Sequence, residues 1–186
     1  MNKITVIGGG IAGLQAGVFT AKAGEDTLVI DNGQSLVENT SNIQNLIGHD
    51  SVGGHELLDS GEDKLEEFGG EMREETVEKL ERTDEGLKVT TSDGEYVSKY
   101  VVIASAGILD FVEVEGVEFE DGVEGGNMMD KHVVTDDSNK AAENVYAAGL
   151  ANTWEYQTSI AIGDGAKAAV NLLTDLRGSP YTDHDM

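Results

Sequence analysis

The chain contains no cysteine. That excludes disulfides, a thiolate nucleophile, cysteine-ligated zinc and a redox-active cysteine pair within these residues. Basic residues are scarce: 12 Lys and Arg stand against 36 Asp and Glu, a formal net charge of −24. Such a surface repels nucleic acid and anionic membranes, so neither is expected as a partner. The acids do not form one block, as they would in a disordered acidic tail; they lie between ordinary apolar runs. The expected cause is adaptation to a high-salt cytoplasm, where cations screen the self-repulsion, with an acidic partner-binding surface as the alternative. Long apolar runs are missing as well, and none approaches the roughly 20 residues of a membrane span. The short apolar run near the N-terminus reads as a strand rather than a signal peptide, which predicts a soluble, cytoplasmic protein. The four histidines, His49, His55, His132 and His184, show no metal-ligand spacing, so no metal site is expected.

Glycine is the residue in excess, at 24 positions. Three of them carry the strongest signal. Ile4 to Ile7 is a β-branched run that reads as a buried strand, and Gly8, Gly10 and Gly13 follow it in the order G-x-G-x-x-G. Leu14 to Ala23 continues as an Ala-rich helix, and a second strand, Thr27 to Ile30, ends on Asp31. Gly8 permits the tight turn out of the strand. Gly10 lets backbone approach a pyrophosphate, and Gly13 lets the helix pack close to the strand. The helix N-terminus offers unpaired N–H groups to phosphate, and Asp31 can accept from a ribose hydroxyl. The pattern predicts dinucleotide binding.

Further along, Leu57, Leu58, Leu65 and Phe68 recur at helical spacing between the glycine pairs 53–54 and 69–70. Residues 71–99 alternate, with Asp93-Gly94 as a two-residue hairpin signal, and read as a small antiparallel meander. Tyr100 to Ala104 returns to the core. Residues 108–130 are glycine-rich and acidic and read as an irregular excursion, followed by a short strand over 131–135. Asn144 to Ala148 is another buried strand. Thr158 to Arg177 is a long helix that Gly178 stops, with a frayed tail at 179–186. Parallel strands with helices between them give a three-layer α/β unit. One domain is expected over 1–178, built from segments 1–107 and 131–178.

Taken in order, these segments resemble the thioredoxin reductase-like group of FAD-dependent pyridine nucleotide-disulfide oxidoreductases. The resemblance lies in Val6 to Leu14, Ile43 to Gly48, Gly53 to Leu57, Phe68 to Glu71, Val102 to Ser105, Asn144 to Gly149 and Gln157 to Ala166. It implies a Rossmann-like FAD-binding domain, and FAD rather than NAD as cofactor. The cofactor-binding set it implies begins with Gly8, Gly10, Ile11, Ala12 and Gly13 at the pyrophosphate, and Asp31 with Asn32 at the adenosine ribose. Asn45 falls near the flavin ring, Gly149 and Leu150 at the ribityl chain, and Gln157 and Thr158 at the pyrimidine end. A helix N-terminus at that end stabilises the negative charge of a reduced flavin.

The sequence departs from that pattern in three places. Only about 40 residues separate the strands around Ile103 and Val145, with no second G-x-G-x-x-G, where the group inserts an NAD(P)H-binding domain. The Cys-x-x-Cys of that domain is absent, so the chain is not expected to act alone as a dithiol-disulfide reductase. Leu150 stands where the group has Asp, and Ala106 where it has Gly. The expected function is a flavoprotein oxidoreductase whose flavin is reduced by an external donor or a redox partner protein. The alternative is a non-catalytic FAD- or nucleotide-binding subunit or sensor. The resemblance also implies a homodimer. No catalytic acid or base stands out. Trp154 and Tyr156 could cover a flavin face, although packing on the core is the commoner fate of such residues.

Overall fold

A computed structural model of the protein describes residues 4–121 and 131–183. The elements in order are β1 (Ile4–Ile7), α1 (Ile11–Lys22), β2 (Thr27–Asp31), α2 (Gly54–Glu67), β3 (Glu71–Glu74), β4 (Val77–Thr83), β5 (Gly86–Thr91), β6 (Glu95–Ser98) and β7 (Tyr100–Ile103). They continue with β8 (Val112–Glu113), β9 (Phe119–Asp121), β10 (Lys131–Val133), β11 (Lys140–Ala142), β12 (Val145–Ala147) and α3 (Thr158–Arg177). A 3-10 turn at Gly149–Ala151 links β12 towards α3.

The central sheet has six strands in the order β11-β12-β7-β1-β2-β3, parallel except for β11. Its inner strands are covered on both faces, which is why β1 and β7 are buried throughout and do not alternate, Thr5 being paired through its hydroxyl with Ser98 Oγ. Side chains still divide by face. Ile4, Val6, Val29, Val102 and Tyr146 pack with the helices, among them Leu14, Leu65, Ala168 and Leu172. Ile7, Leu28, Ile30, Val101 and Ile103 pack on the other side with Leu80, Leu87 and Val89 of a second, four-stranded sheet, β6-β5-β4-β8. Three layers result: helices, central sheet and meander, the Rossmann-like α/β class expected from the motif order.

Several details differ from the sequence reading. Residues 71–74 do not join the meander; β3 pairs parallel with β2 at the edge of the main sheet, and Met72 packs against the helical core. The chain alternates there because an edge strand is half solvated, a pattern a meander strand shares. Residues 108–121 are not irregular. Leu109, Phe111, Val112 and Val114 are buried, β8 adds parallel to β4, and β9 pairs with β10 outside the main sheet. The remainder of that stretch, 122–130, lies outside the described residues. The strand β11 carried no periodic signal at three residues. The tail is not frayed as far as Asp183: Tyr181 is buried, its N–H donates to Thr174 Oγ1 at 3.1 Å, and Lys22 pairs with Asp183 at 2.7 Å.

Candidate functional site

The strand order reverses between the parallel strands β1 and β7, since the connections from β1 run out to β3 on one side and those from β7 to β12 on the other. The C-terminal ends of strands flanking such a reversal form a ligand crevice in open α/β sheets. A cavity of about 850 Å³ lies there. It is lined by Ile7, Gly8, Gly10, Ile11 and Ala12 after β1, by Ile30, Asp31 and Asn32 after β2, by Ala104 to Ala106 after β7, and by Gly149 and Leu150 after β12. The loop between β2 and α2 contributes Asn45, and the start of α3 contributes Gln157 and Thr158.

The structure thus brings eleven of the twelve residues singled out from the sequence to one cleft. Gly13 does not line it and acts from beneath. A Cβ on Gly13 would lie 1.8 Å from the Gly8 carbonyl oxygen, so only glycine lets α1 sit this close to the turn. Gly8 has φ +104°, a backbone conformation L side chains avoid, and Gly10 is the N-cap of α1 with no side-chain cap. Leu14 N–H is the donor that closes the first helical bond, to Gly10. The N–H groups before it are therefore left for a ligand. At the far end Gln157 is the N-cap of α3, again without a capping side chain, and the first backbone bond there runs from Ala161 N–H to Gln157. Two uncapped helix starts open on one cleft, and an anionic group can approach either.

Asp31 does two things. Its carboxylate accepts from Gly9 N–H at 2.7 Å and from Gly33 N–H at 2.9 Å, which locks the glycine turn against the end of β2, while the residue still faces the cleft. A Cβ on Gly9 would lie 2.8 Å from Asp31 Cβ, so Gly9 is required too. The sequence pattern leaves Gly9 as an unspecified position. Asn45 donates through Nδ2 to Gln157 Oε1 at 3.0 Å, and its carbonyl accepts from Ser159 Oγ at 3.3 Å. The 45 loop and the start of α3 are one unit, not two independent walls.

Residues that sequence reasoning missed line the same cleft. Glu75, Thr76 and Val77, at the β3–β4 junction, stand beside Asp31 because β3 joined the main sheet. Glu75 is held rigidly: Tyr96 Oη donates to it at 2.6 Å and Thr91 Oγ1 at 2.5 Å. Tyr96 is in turn pushed above its ordinary pKa by burial and by the Glu75 hydrogen bond. Behind the cleft, Asp164 of α3 accepts from Gly149 N–H at 2.7 Å and Asn139 Nδ2 at 2.7 Å, and from Asn152 Nδ2 at 3.1 Å. The Gly163-Asp-Gly165 motif was visible in the sequence, yet its acid gave no sign of this role.

His49 and His55 are exposed and neither lines the cleft; His55 stands 3.7 Å from Asp59 on the same helix. Neither Trp154 nor Tyr156 packs in the core: they are 58% and 63% exposed, and only Tyr156 lines the cleft. Among the described residues no group of acids and histidines could hold a metal ion, and no helix is long and apolar enough to cross a membrane.

Comparison with known proteins agrees with this geometry. A family model described as Glucose inhibited division protein A matches residues 3–79, the segment that carries the glycine turn and Asp31. The thioredoxin reductase of Listeria monocytogenes is 30% identical over 104 residues, 55% of this chain and 33% of its own length. That of Bacillus subtilis is 29% identical over 115 residues, 61% of this chain and 36% of its own. The chain therefore spans about a third of the length of the curated relatives it matches. The solved thioredoxin reductase of Gloeobacter violaceus superposes with a TM-score of 0.82 at 16% identity, covering 100% of this chain and 98% of that one. The fold is that of the thioredoxin reductases, a Rossmann-like α/β arrangement.

Proposed function

We propose that the chain binds FAD in the cleft and serves as the flavin-bearing part of an oxidoreductase that takes its electrons from an external donor or a partner protein. The observation that carries this reading is that one cavity joins the β1–α1 glycine turn to the start of α3. A mononucleotide site needs only the turn, whereas an extended dinucleotide with a flavin at one end uses both. The residues fit the group. Asp31 and Glu75 offer carboxylates to the ribose and adenine end, the start of α1 faces the pyrophosphate, and the start of α3 with Asn45 and Gln157 faces the flavin. FAD would supply two-electron redox chemistry when bound. The chain's own residues orient it and set its charge preference, the α3 N-terminus favouring an anionic ring.

The segment between β7 and β12 supports an external donor. Among its described residues it holds only the short strands β8 to β11, and the sequence has no second glycine turn for a nicotinamide nucleotide. Pairing of two copies through this domain belongs to the same proposal. A second reading, a non-catalytic nucleotide-binding subunit, is favoured by one observation: Leu150 presents an aliphatic side chain to the cleft.

The test is reconstitution. The apoprotein, mixed with FAD in high KCl, is expected to retain flavin absorption bands through desalting; a colourless product refutes FAD binding in either reading. Bleaching of the bound flavin by NADH, NADPH or a reduced electron-carrier protein supports the oxidoreductase over the subunit. Leu150→Asp is expected to tighten FAD about tenfold, the worth of one hydrogen bond to a charged group. Unchanged affinity by titration calorimetry would remove Leu150 from the cofactor's path.

The charge balance belongs to this proposal as a high-salt adaptation. Glu62 on α2 has its pKa raised by burial first, then by Asp59, Asp31, Glu66 and Asp63. A carboxyl raised in the folded state destabilises the fold where it is ionised, at neutral pH, and stops doing so once pH falls below the carboxylate range. Salt screens the same repulsion. The melting temperature is expected to climb as KCl is raised at pH 7, and Glu62→Gln to raise it most in low salt. A flat salt series, followed by circular dichroism, would defeat the adaptation.

A further inference from the structure

We infer that the ring of Tyr156 forms one wall of the flavin's binding slot, packing on the isoalloxazine; the inference rests on the FAD reading above. Tyr156 has no structural employment. It is 63% exposed, belongs to neither core cluster, and its hydroxyl makes no hydrogen bond among the described residues. Yet it lines the cleft, immediately before the N-cap of α3. Its neighbours are held on both sides, Glu155 through its backbone and Gln157 through its side chain. Glu155 N–H donates to Thr153 Oγ1 at 3.3 Å, and Gln157 is tied to Asn45 at 3.0 Å. The ring is therefore presented from a fixed point without being packed.

Ile108 comes from a different segment, the loop after β7, and repeats the pattern: 62% exposed and lining the same cleft. One exposed apolar side chain needs no explanation. Two, from separate loops and bordering one cavity beside the polar pair Asn45 and Gln157, suit a flat ligand with apolar faces and a hydrogen-bonding edge. An isoalloxazine has that form. Trp154, two residues earlier and also exposed, does not line the cleft and serves as the internal control.

The experiment compares FAD affinity and the fluorescence of bound FAD in the wild type, Tyr156→Leu, Tyr156→Phe and Trp154→Leu, with folding checked by circular dichroism. An oxidisable phenol in contact with the ring quenches flavin emission, whereas a benzene ring stacks without quenching. Tyr156→Leu is expected to weaken FAD about tenfold, as loss of about 1.4 kcal/mol of stacking does, and to brighten the bound flavin severalfold. Tyr156→Phe keeps the affinity and loses the quenching; Trp154→Leu changes neither. Wild-type affinity and emission in Tyr156→Leu overturn the inference while leaving the FAD reading standing. A wild type that takes up no FAD overturns both.

Discussion

Gly13→Ala is expected to lower the melting temperature by about 10 °C, while Gly10→Ala leaves it within about 2 °C of wild type and abolishes FAD uptake. Both substitutions add one methyl group to the same turn, and the structure separates their effects. At Gly13 the new Cβ would sit 1.8 Å from the Gly8 carbonyl oxygen, 2.9 Å from its carbon and 3.3 Å from Ala104 Cβ. The first two are backbone atoms fixed by the β1 ladder, so α1 has to move away from the sheet. Overpacking of that kind costs about 3 kcal/mol when nothing flexible can yield. At about 3 °C per kcal/mol for a domain of this size, the shift reaches the stated value. At Gly10 only Ser35 Oγ lies within 4 Å of the new Cβ, at 3.4 Å, and φ is −68°, which alanine adopts freely. The fold has no objection to that methyl group. It occupies the cleft wall, where the proposed FAD would bring its pyrophosphate against backbone, so only the ligand is affected. Thermal melts and FAD titrations of the two variants give the readout. Equal destabilisation of both would mean that the glycines serve packing alone, and retained FAD binding in Gly10→Ala would remove the pyrophosphate from this turn.

That contrast also shows what was legible in the sequence. The β1–α1–β2 unit could be read because strand, turn and helix are local, and each glycine has its own steric reason within a few residues. The position of β12 and α3 could be read because Val145 to Ala148 is an unbroken apolar run, the apolar period of α3 is long, and Gly178 marks a stop, confirmed by its left-handed φ of 67°. What escaped was non-local. Nothing in Glu71 to Glu74 says whether its partner is β2 or β4, because an edge strand alternates like any meander strand; with it went Glu75, Thr76 and Val77 as cleft residues. Residues 109–114 looked irregular because Val-Glu alternation over so few positions is no stronger than chance. Their burial comes from the opposing sheet, which supplies Leu80 and Val89. Trp154 and Tyr156 invite a core assignment on residue type alone. Only the placement of the turn before α3 shows that they remain exposed and that one of them meets the cleft.

Asp164→Ala is expected to destabilise the protein by about 3 kcal/mol and to weaken FAD in parallel, although Asp164 does not line the cleft. Its carboxylate gathers three donors from two segments: Gly149 N–H and Asn152 Nδ2 from the 3-10 turn, and Asn139 Nδ2 from the turn before β11. Asn139 is 1% exposed, sits at φ 62°, and already has one buried unpaired atom, Oδ1. Its amide keeps a second acceptor, the Ala147 carbonyl at 3.0 Å, whereas Gly149 N–H has no alternative of its own. Removing the carboxylate therefore orphans a buried backbone donor and loosens Asn152, each at about 1–3 kcal/mol. The consequence for the cofactor follows from geometry. Gly149 and Leu150 form the cleft wall after β12, and a Cβ on the neighbouring Gly165 would lie 2.1 Å from the Ala12 carbonyl oxygen, so α3 and α1 meet almost backbone to backbone. Asp164 ties the Gly149 turn to that contact, and its loss lets the Gly149–Leu150 wall drift relative to the glycine turn after β1. Asp164→Asn keeps the shape and one acceptor but turns an amide N–H₂ towards donors, so it should fall between wild type and Asp164→Ala in both denaturant midpoint and FAD affinity. A variant that loses stability with full FAD affinity at saturating salt would confine Asp164 to the fold.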